Sequence, residues 1–289
     1  MRKYISVLAA LAVLFACEPE NNPGGANVNE KEGEKENGGK EEEVVTIPEG
    51  AIDLGIVITR GDGTTYNLYW ATSNLCEDGL CPNPEDYGDY YAWGETEPHY
   101  VKGHSQDWPC NDWRVIDGKT MTGYNWPSYK WCNGNYNKLT KYCPASETGL
   151  WNGTGAPDNK TVLETGPQGD DAASKILGGK WRIPTDEEWT ELLDKCTWTW
   201  TDSYNETGVG GMIVTSKVSG FTDKSIFLPA AGDRSQISLF FAGSNGSYRS
   251  SSIYLESPDQ AWYVCFQSSY VDRFFNGRYG GLSVRPVSE

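Results

Sequence analysis

An α+β fold, with short strands, two helices and long loops, is the fold class that the sequence predicts. The first observation is composition: the 289 residues include 12 Trp, 17 Tyr and 33 Gly but only 3 Met, which favours many short strands and turns over a helical bundle. The second is the order of the patterns, because stretches with strand periodicity surround only two stretches with helical periodicity. The chain is also long enough for a domain with a sizeable core.

The clearest local signal is residues 178–196, GGKWRIPTDEEWTELLDKC, where a strand pattern gives way to a helix pattern. Trp181 and Ile183 alternate with basic residues, as in a strand with one buried face, and the next residue is a proline that ends the pattern. Thr185 and Glu188 have the spacing of a capping box, which predicts the start of a helix. The helix has an apolar stripe that the domain must cover, made of Trp189, Leu192, Leu193 and Cys196.

The other elements are justified in chain order. Residues 52–75 predict a β-hairpin around a turn at residues 61–63. Residues 98–170 are predicted to be a long irregular insertion, and residues 170–177 a short helix with acidic residues at its start. Further strands are predicted at residues 197–202, 212–218, 225–228, 262–266 and 282–287, with loops between them. The last strand is expected beside the first, with Arg285 in an ion pair at the rim of the core.

The first 45 residues have the pattern of a targeting segment and a spacer. Residues 1–16 combine a basic start with an apolar run too short to span a bilayer, as in a signal peptide. Leu14-Phe-Ala-Cys17 resembles a bacterial lipobox, which implies cleavage before Cys17 and lipidation of its sulfur. Residues 17–45 are rich in Glu, Lys, Asn and Gly, and they predict a disordered acidic tether to a domain at residues 46–289.

Four stretches together resemble one known protein family. They are Pro84–Glu95 (PEDYGDYYAWGE), Trp181–Leu193 (WRIPTDEEWTELL), Ile226–Gly232 (IFLPAAG) and Ser283–Val287 (SVRPV). The chain is similar to the Fibrobacter succinogenes major paralogous domain family, in the formylglycine-generating-enzyme (sulfatase-modifying-factor) branch of the C-type-lectin-like fold, common in surface proteins of Bacteroidetes. The resemblance implies a C-type-lectin-like domain. It does not imply one activity, because that fold hosts unrelated functions.

The charge of the chain argues against nucleic acid as a ligand, and the pattern of its carboxylates argues against Ca²⁺. The formal net charge is −16, and no contiguous basic patch is visible, so nucleic acid is not a predicted partner. Glu85, Asp86 and Asp89 offer carboxylate oxygens of the kind that Ca²⁺ prefers. The stricter calcium-loop patterns are missing, however, so these residues are predicted to be surface acids. No metal or other cofactor is predicted.

The cysteines predict a disulfide but no catalytic thiol pair. Apart from Cys17 there are seven, an odd number: Cys76, Cys81, Cys110, Cys132, Cys143, Cys196 and Cys265. Cys76 and Cys81 are predicted to close a short loop by a disulfide, with one further bridge left open among Cys110, Cys132 and Cys143. Formylglycine-generating enzymes use reactive thiols in the C-terminal part of the domain. Only Cys265 lies there in this chain, in an apolar stretch typical of a buried side chain.

The histidines do not form a recognisable catalytic arrangement with a nucleophile either. The chain has 2 histidines, His99 and His104, which share one loop and are expected to be exposed to solvent. No carboxylate pair stands out for glycoside hydrolysis. The chain is therefore predicted not to be an enzyme.

A ligand-binding surface is predicted between residues 231 and 281, where turn residues are mixed with aromatic and arginine residues. Its predicted members are Phe240, Phe241, Tyr248, Arg249, Tyr270, Arg273, Phe274, Phe275, Asn276 and Tyr279. An alternative for each phenylalanine is that it packs inward. Relatives commonly have an aromatic-aromatic-Trp sequence where this chain has Ser247-Tyr248-Arg249, which suggests a surface altered for a particular partner. The layout resembles C-type-lectin-like proteins whose C-terminal segment is diversified by retroelements.

The predicted function is recognition by a surface lipoprotein. We expect an outer-membrane protein, held by lipid alone and exposed at the cell surface, that binds an extracellular protein or a glycan in the manner of an adhesin. Aromatic faces would supply apolar contact, and Arg249, Arg273 and Asn276 would supply directional hydrogen bonds. Two alternatives remain open: a structural component of a surface or pilus assembly, and an oxidative or hydrolytic enzyme on the same fold.

Overall fold

Strands form most of the architecture, and two helices pack against them. The structure is a computed structural model that describes residues 46–101 and 109–289. The predicted signal peptide at residues 1–16, the lipidation site Cys17 and the tether at residues 17–45 lie outside the described residues, and so does His104. This content, mostly strands with two helices, agrees with the predicted α+β class.

The strands and helices have the following bounds. In chain order they are β1 (Ala51–Thr59), β2 (Thr65–Ala71), β3 (Leu75–Cys76), β4 (Gly79–Leu80), β5 (Tyr90–Tyr91), β6 (Val115–Ile116), β7 (Lys119–Thr120), α1 (Ala172–Leu177), α2 (Asp186–Lys195), β8 (Cys196–Thr201), β9 (Gly211–Ser216), β10 (Ser225–Pro229), β11 (Asp233–Ser235), β12 (Ser238–Phe240), β13 (Gly246–Ile253), β14 (Gln260–Gln267), β15 (Tyr270–Gly277), β16 (Gly281–Ser283) and β17 (Val287–Ser288).

Helix α2 begins where the sequence predicts. The Thr185 side chain accepts a hydrogen bond from the backbone N–H of Glu188, and the Glu188 side chain accepts one from the backbone N–H of Thr185, so the capping box is complete. Trp189 and Leu192 of the predicted stripe are fully buried, and the Trp189 ring packs on Trp70 of β2 with centroids 4.8 Å apart. The helix therefore covers the main core with the stripe that the sequence indicates.

The predicted hairpin and the predicted short helix are also present. Strands β1 and β2 pair in antiparallel register, and α1 begins after Asp171, whose side chain accepts the N–H of Ser174 at 2.9 Å. Strands β8, β9 and β10 form a three-stranded antiparallel sheet at the positions predicted for them. The strand expected at Trp181 and Ile183 is reduced to one bridge, between Arg182 and Val287.

The largest sheet has seven strands, in the order β12-β11-β16-β13-β14-β15, with β5 paired to β16. Four of its strands, β11, β12, β13 and β15, fall in stretches predicted to be loops, and that prediction is wrong. Strand β13 has the sequence GSYRSSSI, whose polar residues indicate a loop, yet nearly all of it is buried between β14 and β16. The Tyr248 hydroxyl and one nitrogen of the Arg249 guanidinium donate there to the carbonyl oxygens of Pro229 and Gly280, which are distant in the chain.

Two further expectations about the end of the domain are corrected by the structure. Strand β17 lies beside β2 rather than beside β1, in the sheet order β1-β2-β17. Arg285 is fully buried and forms no ion pair with any residue that the structure describes; its guanidinium donates to the side-chain oxygen of Asn74 and to the carbonyl oxygens of Ala71 and Phe227, at 2.8 to 3.0 Å. Three uncharged oxygens thus replace the expected carboxylate.

The described part of the insertion, residues 98–101 and 109–170, is irregular, as predicted, apart from the small hairpin of β6 and β7. It has a core of its own, in which Tyr100, Tyr124, Tyr129 and Leu139 are fully or almost fully buried. The aromatic residues of the insertion therefore serve mainly to pack it against the large sheet.

Candidate ligand-binding surface on strand β15

Strand β15 is an edge of the large sheet, and its two faces carry different aromatic groups. It pairs with β14 in a register that puts Phe275 opposite Trp262 and Phe274 opposite Tyr263. Directly opposite residues share a face of a sheet, while neighbours along a strand do not. The adjacent Phe274 and Phe275 therefore point to opposite faces, where they are 38% and 44% exposed.

The first face, here called the α2 face, carries an ordered cluster of three rings from Tyr254, Trp262 and Phe275. The Tyr254 and Phe275 rings are stacked, with centroids 3.9 Å apart and planes 5° from parallel. Trp262 meets both of them edge-on, at 5.1 Å and 5.5 Å. The Tyr254 hydroxyl is fixed in turn by a 2.6 Å hydrogen bond to Glu256. Because each ring is held by the other two, the exposed part of Phe275 has a defined orientation.

An ion pair joins this aromatic cluster to helix α2. The Arg273 guanidinium lies over the Trp262 ring, 5.3 Å from its centroid, and donates to the Asp186 carboxylate at 2.6 Å. Burial raises the pKa of Asp186 above its usual value, although the Arg273 charge opposes that rise. Both partners retain some exposure, at 32% and 20% of their side chains. The pair fixes the position of Trp262 relative to the helix.

A cleft of about 270 Å³ opens beside this cluster, at the start of α2. Its lining includes Asp186, Glu187, Ser252, Val162, Leu255 and Trp262. Val162 and Leu255 are 42% and 60% exposed, so apolar surface continues from the cleft to the rim. The cleft thus combines carboxylate oxygens, a hydroxyl and an aromatic edge within one concave surface.

The opposite face of β15 has a looser aromatic group. The Tyr263 and Phe274 rings are 6.1 Å apart, and Tyr270 meets Phe274 edge-on at 6.4 Å. Tyr270 is 40% exposed. Cys265 lies on this face too and is buried, and burial raises the pKa of its thiol.

The structure separates the ten predicted ligand-binding residues. Five of them belong to β15 and are divided between its two opposite faces: Tyr270, Arg273, Phe274, Phe275 and Asn276. Phe240 ends β12 and Phe241 follows it, at the other edge of the sheet, where Phe241 is 61% exposed. Tyr279 is half-buried and packs on Trp126 of the insertion, 5.1 Å between centroids. The structure therefore does not bring the ten residues together on one surface.

Tyr248 and Arg249 are fully buried, so their predicted exposure is wrong. The Tyr248 hydroxyl donates to the carbonyl oxygen of Pro229 at 2.8 Å, and its ring packs against Trp189. The Arg249 guanidinium donates to the carbonyl oxygen of Gly280, while its Nε and Nη1 are buried with no partner in the described part of the chain. Burial lowers the pKa of Arg249 to about 10. The sequence Ser247-Tyr248-Arg249 therefore belongs to the interior of the sheet and not to its surface.

The free edge of β15 is partly occupied by its own side chains. The backbone N–H groups of Arg273 and Gly277 donate to the side-chain oxygens of Asp272 and Asn276, at 2.7 Å each. A charged residue and self-satisfied N–H groups are devices that discourage pairing with a further strand. The faces of β15 are thus more available for binding than its edge.

Cysteine positions agree with one prediction and correct another. Cys76 and Cys81, the pair predicted to be bridged, are joined by a disulfide. Cys110, Cys132 and Cys143 are buried as free thiols, so the further bridge considered among them is absent. Burial raises the pKa of Cys132 and of Cys143, which disfavours the thiolate that a nucleophile requires.

His99 is fully buried, so its predicted exposure is wrong. Its ring stacks on Tyr124, with Nδ1 2.9 Å from the carbonyl oxygen of Gly123 and Nε2 2.5 Å from the Glu95 carboxylate. Both nitrogens face acceptors, which favours the doubly protonated ring. Although burial lowers the pKa of His99, the Glu95 charge outweighs it and raises that pKa above its usual value. The pair connects the insertion to the residues that precede it.

The carboxylates considered for Ca²⁺ are engaged in local hydrogen bonds. The Asp89 carboxylate accepts bonds from the Tyr100 hydroxyl and the Glu77 N–H, so it is not a plain surface acid. Asp86 accepts the N–H of Asn83. Within residues 46–101 and 109–289, no group of three His, Cys, Asp or Glu side chains is arranged to hold a metal ion.

Sequence reasoning does not identify three contributors to the α2 face: Tyr254, Trp262 and Asp186. One signal was available, because the two residues Ser268-Ser269 separate a predicted strand from a second stretch with alternating Val271, Arg273 and Phe275, which is a hairpin pattern.

Comparison with protein-family models, curated proteins and solved structures finds no match for this chain. Neither of the described helices has the length and apolar character needed to cross a bilayer.

Proposed function

We propose that this chain is a non-catalytic recognition protein that binds an extracellular ligand through the faces of strand β15. The observation that carries the proposal is the ordered cluster of Tyr254, Trp262 and Phe275, which keeps large rings at the surface beside a cleft. Ring-to-ring packing and the Arg273–Asp186 ion pair hold the cluster in place before any ligand arrives, which reduces the entropy lost on binding.

The proposal includes a C-type-lectin-like fold and a location at the cell surface. Its support is the set of sequence motifs that resemble the Fibrobacter succinogenes major paralogous domain family, together with a framework of strands and two helices bearing long loops. The lipobox-like sequence ending at Cys17 supports a lipid anchor in the outer membrane. In this proposal the acidic tether presents the domain to an extracellular protein or glycan, as in an adhesin.

Two observations make the alternatives less favoured. A structural role in a surface assembly calls for strand addition, and the β15 edge has N–H groups already bonded to Asp272 and Asn276. An oxidative enzyme that uses thiols calls for a low-pKa cysteine, whereas burial raises the pKa of Cys265. Recognition through β15 needs neither an open edge nor a reactive thiol.

The test is a binding screen of the full chain against immobilised glycans and extracellular-matrix proteins. The variant Phe274→Ala/Phe275→Ala removes both phenylalanine rings of β15, and Phe241→Ala is the matched control because it removes a more exposed ring at the other edge of the sheet. We expect the double variant to lose at least tenfold in affinity for any ligand found, and the control to change less than twofold.

The opposite pattern would refute the site. Binding that survives the double variant and falls in Phe241→Ala would move recognition to the β12 edge. Circular dichroism of both variants should match the parent chain, since all three side chains are exposed and removing them creates no buried cavity.

A further inference from the structure

We infer that the α2 face of β15 and its adjoining cleft bind an uncharged carbohydrate. This inference rests on the proposed function and specifies both the face and the chemical class of the ligand. It is carried by three independent properties: the geometry of the aromatic cluster, the kinds of polar group in the cleft, and the charge of the surface around it.

The first property is the free face of Phe275. One face of its ring is covered by Tyr254 at 3.9 Å, and Trp262 meets its edge at 5.5 Å, so the exposed 44% is a flat apolar surface in a fixed plane. A pyranose ring presents a flat patch of C–H groups, which matches such a surface. A flexible peptide would gain less from one fixed plane, because its side chains must be ordered first.

The second property is the polar lining of the cleft. Asp186 and Glu187 at the start of α2 offer carboxylate oxygens, and Ser252 offers a hydroxyl group, next to the Trp262 ring. Sugar hydroxyls are donors as well as acceptors, and a carboxylate is the strongest acceptor available for them. Glu187 is exposed, and one oxygen of Asp186 is fixed by Arg273 at 2.6 Å, so one of the two carboxylates has a defined position in the cleft.

The third property is charge. The chain carries a formal net charge of −16, and the charge of Arg273, which does not line the cleft, is already paired with Asp186. A sialylated or sulfated sugar would bring its own negative charge toward two carboxylates and would find no unpaired cation among the residues that line the cleft. An uncharged oligosaccharide avoids this repulsion.

The test is a glycan array probed with the full chain, on which neutral oligosaccharides are printed beside their sialylated and sulfated counterparts. Affinities for the best neutral compound are then measured by calorimetry for Phe275→Ala and Phe274→Ala. These variants are a matched pair, because the two rings are adjacent, similarly exposed and on opposite faces. We expect Phe275→Ala to lose at least tenfold and Phe274→Ala less than twofold.

Two further variants test the chemistry of the site. Phe275→Tyr keeps the flat ring and is expected to remain within threefold of the parent chain. Glu187→Gln keeps the size of an exposed side chain and weakens only its acceptor strength, so a threefold to tenfold loss is expected. Retained affinity in Phe275→Ala would overturn the assignment of this face.

The outcomes separate this inference from the proposed function. Neutral-glycan binding that is lost in Phe274→Ala alone, or binding of a protein that either variant abolishes, would leave β15 as the site and overturn the choice of face or of ligand class. Preference for the acidic counterparts, or no neutral glycan bound at all, would also overturn the inference. Neutral-glycan binding that neither variant changes would overturn both the inference and the role of β15.

Discussion

Replacing Glu188 by glutamine is expected to destabilise the domain strongly, because this fully buried carboxylate is the acceptor for four hydrogen bonds. Two come from the Arg182 guanidinium, at 2.5 and 2.6 Å. One comes from the Tyr66 hydroxyl at 2.7 Å and one from the N–H of Thr185 at 2.8 Å. Glu188→Gln keeps the shape of the side chain but replaces one acceptor oxygen by an N–H₂ group that faces these donors, and it leaves Arg182 without its counter-charge.

The expected magnitude follows from that geometry. Breaking a buried ion pair by neutralising one partner costs about 3–5 kcal/mol. For a domain of this size each kcal/mol lowers the melting temperature by about 2–4 °C, so the expected decrease in Tm is about 6–20 °C. Urea unfolding followed by tryptophan fluorescence, together with calorimetry, would measure both quantities.

A matched control lies one residue away. Glu187→Gln makes the same chemical change on the same turn of α2 at an exposed position, and it should change the free energy of unfolding by less than about 0.5 kcal/mol. If Glu188→Gln lost less than about 1 kcal/mol, or no more than Glu187→Gln, the account of Glu188 as the centre of a buried network would be refuted.

The same carboxylate gives the prediction a dependence on pH. Burial alone would raise the pKa of Glu188, but the Arg182 guanidinium outweighs it and holds that pKa below 4.5. A lowered pKa in the folded state means that the stabilisation is present above about pH 4.5 and is lost as the pH falls through the folded-state pKa. The stability difference between the parent chain and Glu188→Gln should therefore shrink in that acidic range.

Three more predictions concern packing, protonation and the disulfide. Gly246→Ala should lower the free energy of unfolding by about 1–3 kcal/mol, because a Cβ at this position would lie 2.0 Å from a ring atom of Phe266 in β14. Gly61→Ala is the control, because a Cβ there would have nothing within 4 Å, and it should leave urea unfolding nearly unchanged. Burial raises the pKa of Asp171 from 3.8 to about 6. This group alone should therefore lower the free energy of unfolding by about 3 kcal/mol as the pH rises from 3.8 through 6. Unfolding of the parent chain and of Asp171→Ala, measured at several pH values in that range, should show the difference. Reducing the Cys76–Cys81 disulfide should cost about 2 kcal/mol, measured as a lower Tm in dithiothreitol; an unchanged Tm would mean that the bridge constrains the unfolded chain very little.

The parts of the fold that the sequence predicts are those whose partners lie close together in the chain. The capping box of α2 joins Thr185 to Glu188, three positions away, and the residue types alone reveal it. The β1–β2 hairpin likewise depends on a short turn. Local chemistry therefore located these elements to within a few residues.

Strand β13 shows why other parts of the fold could not be predicted from the sequence. Arg249 is a surface residue by type, and its burial depends on the carbonyl oxygen of Gly280, 31 positions later in the chain. His99 is buried for a similar reason, since its ring meets Tyr124, 25 positions later in the chain. No periodicity within either stretch encodes such partners, because the fold supplies them from elsewhere.

For the candidate site, the aromatic and arginine content of the segment was sufficient to locate β15, but it did not distinguish its faces. Phe274 and Phe275 look equivalent in the sequence, and only the register with β14 assigns one to Tyr263 and the other to Trp262. A shift of one residue in that register would exchange the two faces. The placement of the cleft beside Phe275 depends on helix α2, whose contribution comes from nearly ninety residues earlier, as in the Asp186–Arg273 pair.

The pairing of β17 with β2 also governs the order in which the protein can form during synthesis. Val287 pairs with Trp70, and Arg285 donates to the carbonyl oxygen of Ala71, so the first hairpin receives its third strand only after more than two hundred further residues have been made. A ribosome adds about 5–20 residues per second, so this hairpin waits for about 10–40 s. Throughout that time Trp70 has no native cover from β17, so this part of the core closes only when the end of the chain has been made.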